Sequence, residues 1–440
     1  MSDYLALAIL PVLIFTIFIG FRVAFAMMAT AMIFGYIVFG SAFVFSLREK
    51  AEDVATNFVL AAVPLFVFMG TMLERSGIAE RLFEAVHLWT RRVPGGLALG
   101  TIVMCVIFAA STGVIGATET VVGLLAIPVM LKYGYHKPLI SGVIAAGGSL
   151  GTIIPPSVVV VVMGPLANVP VGDLLIGMVF PGLILAGVYI AYILGRSLID
   201  PSIGPVAPPS PDDPTLAEKL RITMKALVPP MAMIIAVLGS LFAGLAAPTE
   251  AAALGAAGSV ILAAGYGGLT LKVLHDSLMK SVRITAMIML ILMAGSLLTV
   301  VFVGAGGVAL THQLVGAAKL SGHEVLALVL FLAFLAGFVL DWVSITLILV
   351  PIFAPILQAL GIDLVWFCIL FLIMIQTSYL TPPMAPAIFY LRAIAPPEIT
   401  IQHMYWGMIP FIACQVVTLA IIWFWPETVT WLPKQLLGFN

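Results

Sequence analysis

Apolar residues run along this chain in blocks of about 20, the length that carries a helix across the hydrocarbon core of a bilayer. Hydropathy predicts spans near 4–20, 23–46, 56–73, 138–165 and 171–196, and a second set near 224–245, 250–270, 284–303, 363–392 and 404–425. Between the third and fourth span of each set lies a further apolar block, 96–131 and 323–358. Each block is interrupted midway by small or polar residues, Ser111-Thr112-Gly113 in the first and Gly337 to Asp341 in the second. Both read as re-entrant hairpins. Irregular backbone at membrane depth survives only where protein covers it or where it lines a cavity, so such tips belong at a site.

One clearly polar stretch, Asp200 to Arg221, carries Pro201, Pro205, Pro208, Pro209, Pro211 and Pro214 and separates the two sets. It divides the chain into a first repeat over 1–196, a cytoplasmic Pro-rich linker over 197–223 and a second repeat over 224–440. The halves echo one another: Ala126-Ile127-Pro128 matches Leu349-Val350-Pro351, Gly134-Tyr135-His136 matches Gly361-Ile362-Asp363, and Ile154-Pro155-Pro156 matches Thr381-Pro382-Pro383. The last two matches share an offset of 227 residues. An odd number of spans per half places the copies in opposite orientation, the inverted repeat of many secondary transporters. The expected fold class is therefore an all-α polytopic membrane protein of two inverted repeats, each of about five spans with a re-entrant hairpin and a broken helix.

Charge agrees with this parity. Of the 19 basic residues, the threading leaves only Arg48, Lys50, Lys319 and Lys434 on one face, so the other face is cytoplasmic. Both termini are then expected to be periplasmic, with the first hairpin entering from the cytoplasm and the second from outside. Reading the hairpins as pairs of true spans would leave the parity unchanged. The N-terminal stretch lacks the basic start and small-residue cleavage site of a signal peptide and reads as a retained helix. Residues 74–92 place Ile78, Leu82, Val86 and Trp89 at helical spacing with charges opposite, an interfacial amphipathic helix.

Composition narrows the function. Hydrophobic residues make up 62% of the chain and charged residues 9%, against roughly a quarter charged in soluble domains. Sparse Lys and Arg argue against nucleic-acid binding. The three cysteines, Cys105, Cys368 and Cys414, lie in apolar stretches and read as core residues. There is no GxxxxGK[ST] phosphate loop and no HExxH pair, so an enzyme is not expected.

The candidate chemistry sits at the hairpin tips and at two breaks. Gly147 to Ser157 and Gln376 to Met384 each carry a tandem proline that removes backbone donors and stops a regular helix. These breaks, in the helices over 138–165 and 363–392, expose carbonyls that suit a dehydrated Na⁺, while helix N-termini suit an anion. The plainer alternative is a proline kink with small residues for close packing. Acids at membrane depth are costly and therefore informative. Asp341, in the second tip, and Glu119, beyond the first, qualify; Glu250 reads as a helix cap. No Lys or Arg is expected near mid-membrane.

At these motifs the chain resembles the large membrane subunit of tripartite ATP-independent periplasmic (TRAP) transporters. The resemblance runs from FMGTMLERSGIAERL through STGVIGATETVVGLLAIPVMLKYGY and GTIIPPS to LTPPMAPAIFY. It implies an elevator-type, Na⁺-driven importer of an organic acid in the bacterial inner membrane, working with a small four-helix membrane subunit and a periplasmic binding protein. It also implies one Na⁺ site around Ser111, Thr112, Gly151 and Pro156, and a second around Gly337, Asp341, Ser378, Thr381 and Pro383. Substrate would lie between the tips, near Thr112, Gly113, Ser157 and Asp341. Thr112-Gly113-Val114 stands where many members show Ser-Gly-Ser, Thr118-Glu119 where many carry Asp, and TPPMAPA where TPPVG is common. These departures resemble the mannitol/chloroaromatic or 2-oxoacid branch and leave the substrate open. A self-sufficient organic-anion or ion antiporter, and more distantly an intramembrane enzyme, are the alternatives.

Overall fold

A computed structural model describes residues 2–113, 116–206, 214–338, 340–382 and 385–437, and every regular element among them is helical. The first half opens with α1 (Ser2–Phe18), α2 (Val23–Phe39) and α3 (Phe43–Thr56), followed by α4 (Ala62–Glu74) and α5 (Ile78–Thr90). Two limbs, α6 (Gly96–Thr112) and α7 (Ala117–Lys132), form the first hairpin. The first broken helix is α8 (Lys137–Ser149) with α9 (Val158–Ala167), and α10 (Val171–Gly177) with α11 (Val179–Ile199) closes the half.

The second half repeats this order. It has α12 (Leu216–Phe242), α13 (Pro248–Gly265), α14 (Leu271–Gly304) and α15 (Gly307–Ala317), then the hairpin limbs α16 (Gly322–Ala336) and α17 (Trp342–Ala359). The second broken helix is α18 (Leu364–Leu380) with α19 (Pro386–Ile394), followed by α20 (Ile401–Phe424) and α21 (Glu427–Leu437).

Six helices among the described residues are long and apolar enough to cross a membrane, up to seven if the bent pair Phe58–Glu74 and Ile78–Thr90 counts as one span. This is fewer than the ten expected spans. The expected spans at 138–165 and 363–392 are each split by a proline break into shorter helices, and one of the six, Trp342–Ala359, is a hairpin limb. Large apolar side chains point outward along the spans, as with Phe15 (65% exposed), Phe45 (77%) and Ile261 (70%), the pattern of a surface wetted by lipid.

Capping sets several helix starts. Thr215 with Glu218 and Ser321 with Glu324 form reciprocal capping boxes at α12 and α16. Glu250 Oε2 accepts from the Ala247 backbone N–H at 2.8 Å, which is the cap role expected of it. Two features extend past the sequence reading. The second span continues as α3, whose exposed face carries the pairs Arg48–Glu52 and Lys50–Asp53 at 2.8 and 2.6 Å. The described residues also close with α21, which rests on α10 and α11 with Trp431 against Phe180.

The halves interlock. Helix α4 of the first packs on α13 of the second, while α14 of the second packs on α2 of the first; α5 lies on α12 and α15 on α1. The amphipathic α5 buries Ile78, Leu82 and Val86, and the Trp89 indole N–H donates to Thr223 Oγ1 at 2.8 Å. This framework is held at one end by the ion pairs Arg75–Asp276 (2.9 Å) and Glu74–Lys280 (2.7 Å) between α4 and α14.

The hairpins and breaks cross in the same manner. The limb α7 packs on α19, and α17 packs on α9. Helices α8 and α20 touch through glycine: a Cβ on Gly142 would overlap the Gly407 carbonyl, and one on Gly407 would overlap that of Pro138.

Candidate functional site

The first tip folds onto the first break. Helix α6 ends at Gly113 in the left-handed region (φ 60°), a turn that favours a residue without a Cβ. A side chain there would also press on the Pro156 carbonyl, 2.6 Å from the Cβ position. The Val158 N–H reaches the Gly113 carbonyl at 3.5 Å. Ser111 and Thr112 bond back to the carbonyls of Ile107 and Phe108, and Thr112 Oγ1 lies 3.3 Å from Thr118 Oγ1. Gly151 sits in a short 3₁₀ turn, Leu150–Thr152, that packs on α6. Ser157 Oγ is fully buried and has no hydrogen-bond partner among the described residues. Ser111, Thr112, Gly113, Gly151, Pro156 and Ser157 are thus gathered in one buried junction.

The second tip meets the second break in the same way. A Cβ on Gly337 would overlap Ser378 Oγ, so glycine is what lets the tip approach α18. The Thr381 N–H donates to the Ser378 carbonyl at 3.1 Å, and Thr381 Oγ1 donates to that of Thr377 at 2.7 Å. Asp341 is the N-cap of α17, accepting from the Val343 N–H at 3.1 Å and from the Ser344 hydroxyl. Pro383 lies outside the described residues, as do Val114, Ile115 and Met384.

A cavity of about 540 Å³ opens between these assemblies and the framework. Gly337, Asp341, Ser378 and Tyr379 line it on one side with Gly116 and Thr120 of the first hairpin; Ile284, Met287 and Ile288 of α14 line the other, with Glu74 and Lys280. Trp342 and Tyr390 add aromatic faces. Of the residues expected near substrate, Asp341 lines this cavity; Thr112, Gly113 and Ser157 are packed in the first junction instead. The sequence reading missed Lys280, because it falls at the polar edge of a span by hydropathy while its ammonium group reaches the cavity wall. It also passed over Tyr379 and Tyr390, apolar in a hydropathy sum although each brings a hydroxyl.

The halves touch at their equivalent positions. Gln376 Nε2 donates to Ser149 Oγ at 2.8 Å, and these residues are 227 apart, the repeat offset. Tyr379 Oη donates to Glu119 Oε2 at 2.9 Å, which ties the first hairpin to the second break. Among the described residues, no three His, Cys, Asp or Glu side chains gather as a metal-ligand group. The oxygen donors at the two junctions are carbonyls, hydroxyls and one carboxylate, which fit a hard monovalent cation such as Na⁺.

Comparison with known proteins agrees with this architecture. The family model described as "Tripartite ATP-independent periplasmic transporter, DctM component" matches residues 10–428. The chain is 31% identical over 396 residues to the C4-dicarboxylate TRAP transporter large permease protein DctM of Pseudomonas aeruginosa, covering 89% of this chain and 90% of that one. It is 27% identical over 433 residues to the sialic acid TRAP transporter large permease protein SiaM of Vibrio cholerae, covering 96% and 97%. Among solved structures, the YdaH transporter of Alcanivorax borkumensis shares the fold with a TM-score of 0.66 at 15% identity, over 87% of this chain and 88% of that one. The MtrF structure of Neisseria gonorrhoeae gives 0.57 at 14% identity, over 87% and 84%. With a matching model over nearly its whole length, the chain belongs to the DctM family, the large membrane subunits of tripartite ATP-independent periplasmic transporters.

Proposed function

We propose that this chain is the permease subunit of a Na⁺-coupled importer that receives an organic acid from a periplasmic binding protein and works with a small membrane subunit. The observation that carries this reading is the cavity between framework and hairpins, with Lys280 on one wall and Asp341 on the other. An organic anion entering it meets an ammonium group on the framework side, apolar and aromatic faces for its body, and hydroxyls at Thr120 and Ser378. Asp341 and Glu74 would repel an anion. Bound Na⁺ at the second tip offsets that repulsion, which makes substrate and cation binding mutually dependent.

The residues that would hold Na⁺ are Ser111, Thr112, Gly151 and Pro156 at the first junction and Gly337, Asp341, Ser378, Thr381 and Pro383 at the second. Each charge moved down 100 mV supplies about 2.3 kcal/mol, and opposing a tenfold substrate gradient costs about 1.4 kcal/mol. Hairpins and broken helices would travel as one body against α1–α5 and α12–α15, an elevator motion in two inverted repeats with both termini periplasmic. The interlocked packing of the framework and the basic residues left to one face support this arrangement.

The relatives carry different substrates in their names, C4-dicarboxylate and sialic acid among them, so the acid is to be found by assay. Uptake of labelled succinate, pyruvate and sialic acid into proteoliposomes holding this chain and its small subunit tests the reading. Uptake that requires both Na⁺ and the binding protein is expected. Uptake without Na⁺ overturns the coupling, and uptake without the binding protein makes the chain a self-sufficient carrier.

A further inference from the structure

Glu119 is a carboxylate with no solvent exposure, in the first turn of α7. Its Oε2 accepts from Tyr379 Oη, and its Oε1 has no hydrogen-bond partner among the described residues. Helix α8 is shaped around it: a Cβ on Gly148 would overlap the Glu119 side chain, so the glycine leaves the room the carboxylate fills. The ionisable groups that face it are Cys105 of α6, Tyr379 of α18 and Tyr390 of α19, none of them basic; Asp341 acts on the same Tyr390. No ion pair to Glu119 occurs among the described residues.

A bare carboxylate enclosed at membrane depth carries a large desolvation cost. One neutral hydroxyl donor and the α7 N-terminus offset only part of it. The missing component is positive charge on the oxygen that lacks a partner.

We propose that Glu119 Oε1 is a third cation site, which takes one monovalent cation, a proton or Na⁺, and is separate from the two junctions described above. The site spans the repeats, because its two polar members lie on the first hairpin and on the second broken helix. Binding there neutralises the link between them, so the hairpin and the break can move together without carrying an exposed charge through the membrane.

Thermal unfolding of the full chain with its small subunit tests this without any substrate, so its result is independent of the proposed import. Two titrations are run on wild type and on Glu119→Gln, one over pH in Na⁺-free buffer and one over Na⁺ at fixed pH. A cation that binds only the folded state raises the melting temperature as its concentration rises. Wild type is expected to respond to one of the two cations more steeply than Glu119→Gln, whose amide supplies the neutral shape with no charge to balance. The cation that shows the difference is the occupant. Parallel curves for the two proteins in both titrations overturn the proposal. Should Glu119→Gln not fold, Tyr379→Phe decides: it removes the hydroxyl donor and leaves the carboxylate, so dependence on the cation must steepen, and an unchanged slope overturns the site.

Discussion

Gly70, in the middle of α4, brings the framework against the backbone of the first tip. A Cβ at this position would overlap the Thr112 carbonyl oxygen and lie 3.0 Å from its Cα and 3.1 Å from its carbonyl carbon. These are backbone atoms, which cannot swing aside as a side chain can. Overpacking of this kind costs about 1–3 kcal/mol, and only where tip and framework are in this register. Ala in a helix interior also gains about 1 kcal/mol over Gly, but in every position of the hairpin. Gly70→Ala is therefore expected to lower global stability by only about 0–2 kcal/mol. It should move the balance between this arrangement and any displaced one by the full amount, roughly 5- to 150-fold. Spin labels at exposed Leu278 of α14 and Phe389 of α19 report the distance between the framework and the hairpin and broken-helix assembly. The native cysteines are buried and free, and can be replaced beforehand. In Gly70→Ala the distance seen here should lose population to a second one, and uptake should slow. A distance distribution and an uptake rate both unchanged by the substitution would refute the idea that hairpin and framework slide past each other at this contact.

Lys280→Gln removes the cation that lines the cavity wall; with the Lys280 side chain 34% exposed, we expect a cost of about 1–2 kcal/mol, or roughly a 5- to 30-fold rise in KM for the transported acid. An unchanged KM would remove Lys280 from substrate recognition. Ser149→Ala leaves the buried Gln376 Nε2 without its acceptor and should cost about 1–3 kcal/mol, read as a lower melting temperature. Gln376→Leu combined with it should recover part of that loss. His87 on α5 is held below the ordinary histidine range by burial and then by Arg91. The unfolded chain therefore takes up its proton first, so this contribution to stability is complete above the ordinary histidine value and is lost as pH falls through the folded one. Wild type should lose more melting temperature on acidification than His87→Phe, which keeps the ring stack on Phe83.

Much of the architecture was legible because a bilayer imposes simple rules. A run of about 20 apolar residues must be helical to satisfy its own backbone, so the helices follow from hydropathy, although ten spans were expected and six helices of crossing length occur among the described residues. The tandem prolines at 155–156 and 382–383 and the small residues at Ser111 to Gly113 mark the breaks for an equally local reason, loss of donors and of helix propensity. The repeat offset of 227 was visible too, and the Ser149–Gln376 hydrogen bond spans that separation. The continuation of the second span as α3 and the terminal α21 were missed because their charged and polar residues disappear in a hydropathy sum.

The candidate site divides along the same line. Composition and local pattern determined that the protein is a polytopic helical one, where its hairpins turn and where its helices break, since each depends on residues near one another in the chain. Only the tertiary structure decided that Lys280 reaches the cavity, that Glu119 meets Tyr379, and that Thr112, Gly113 and Ser157 lie in a buried junction while Asp341 faces the cavity. Glu119 and Tyr379 are 260 residues apart. No local propensity records which faces of two distant helices will meet, because that is set by the packing of whole helices against each other, down to glycines such as Gly70, Gly148 and Gly337 that let backbones come close.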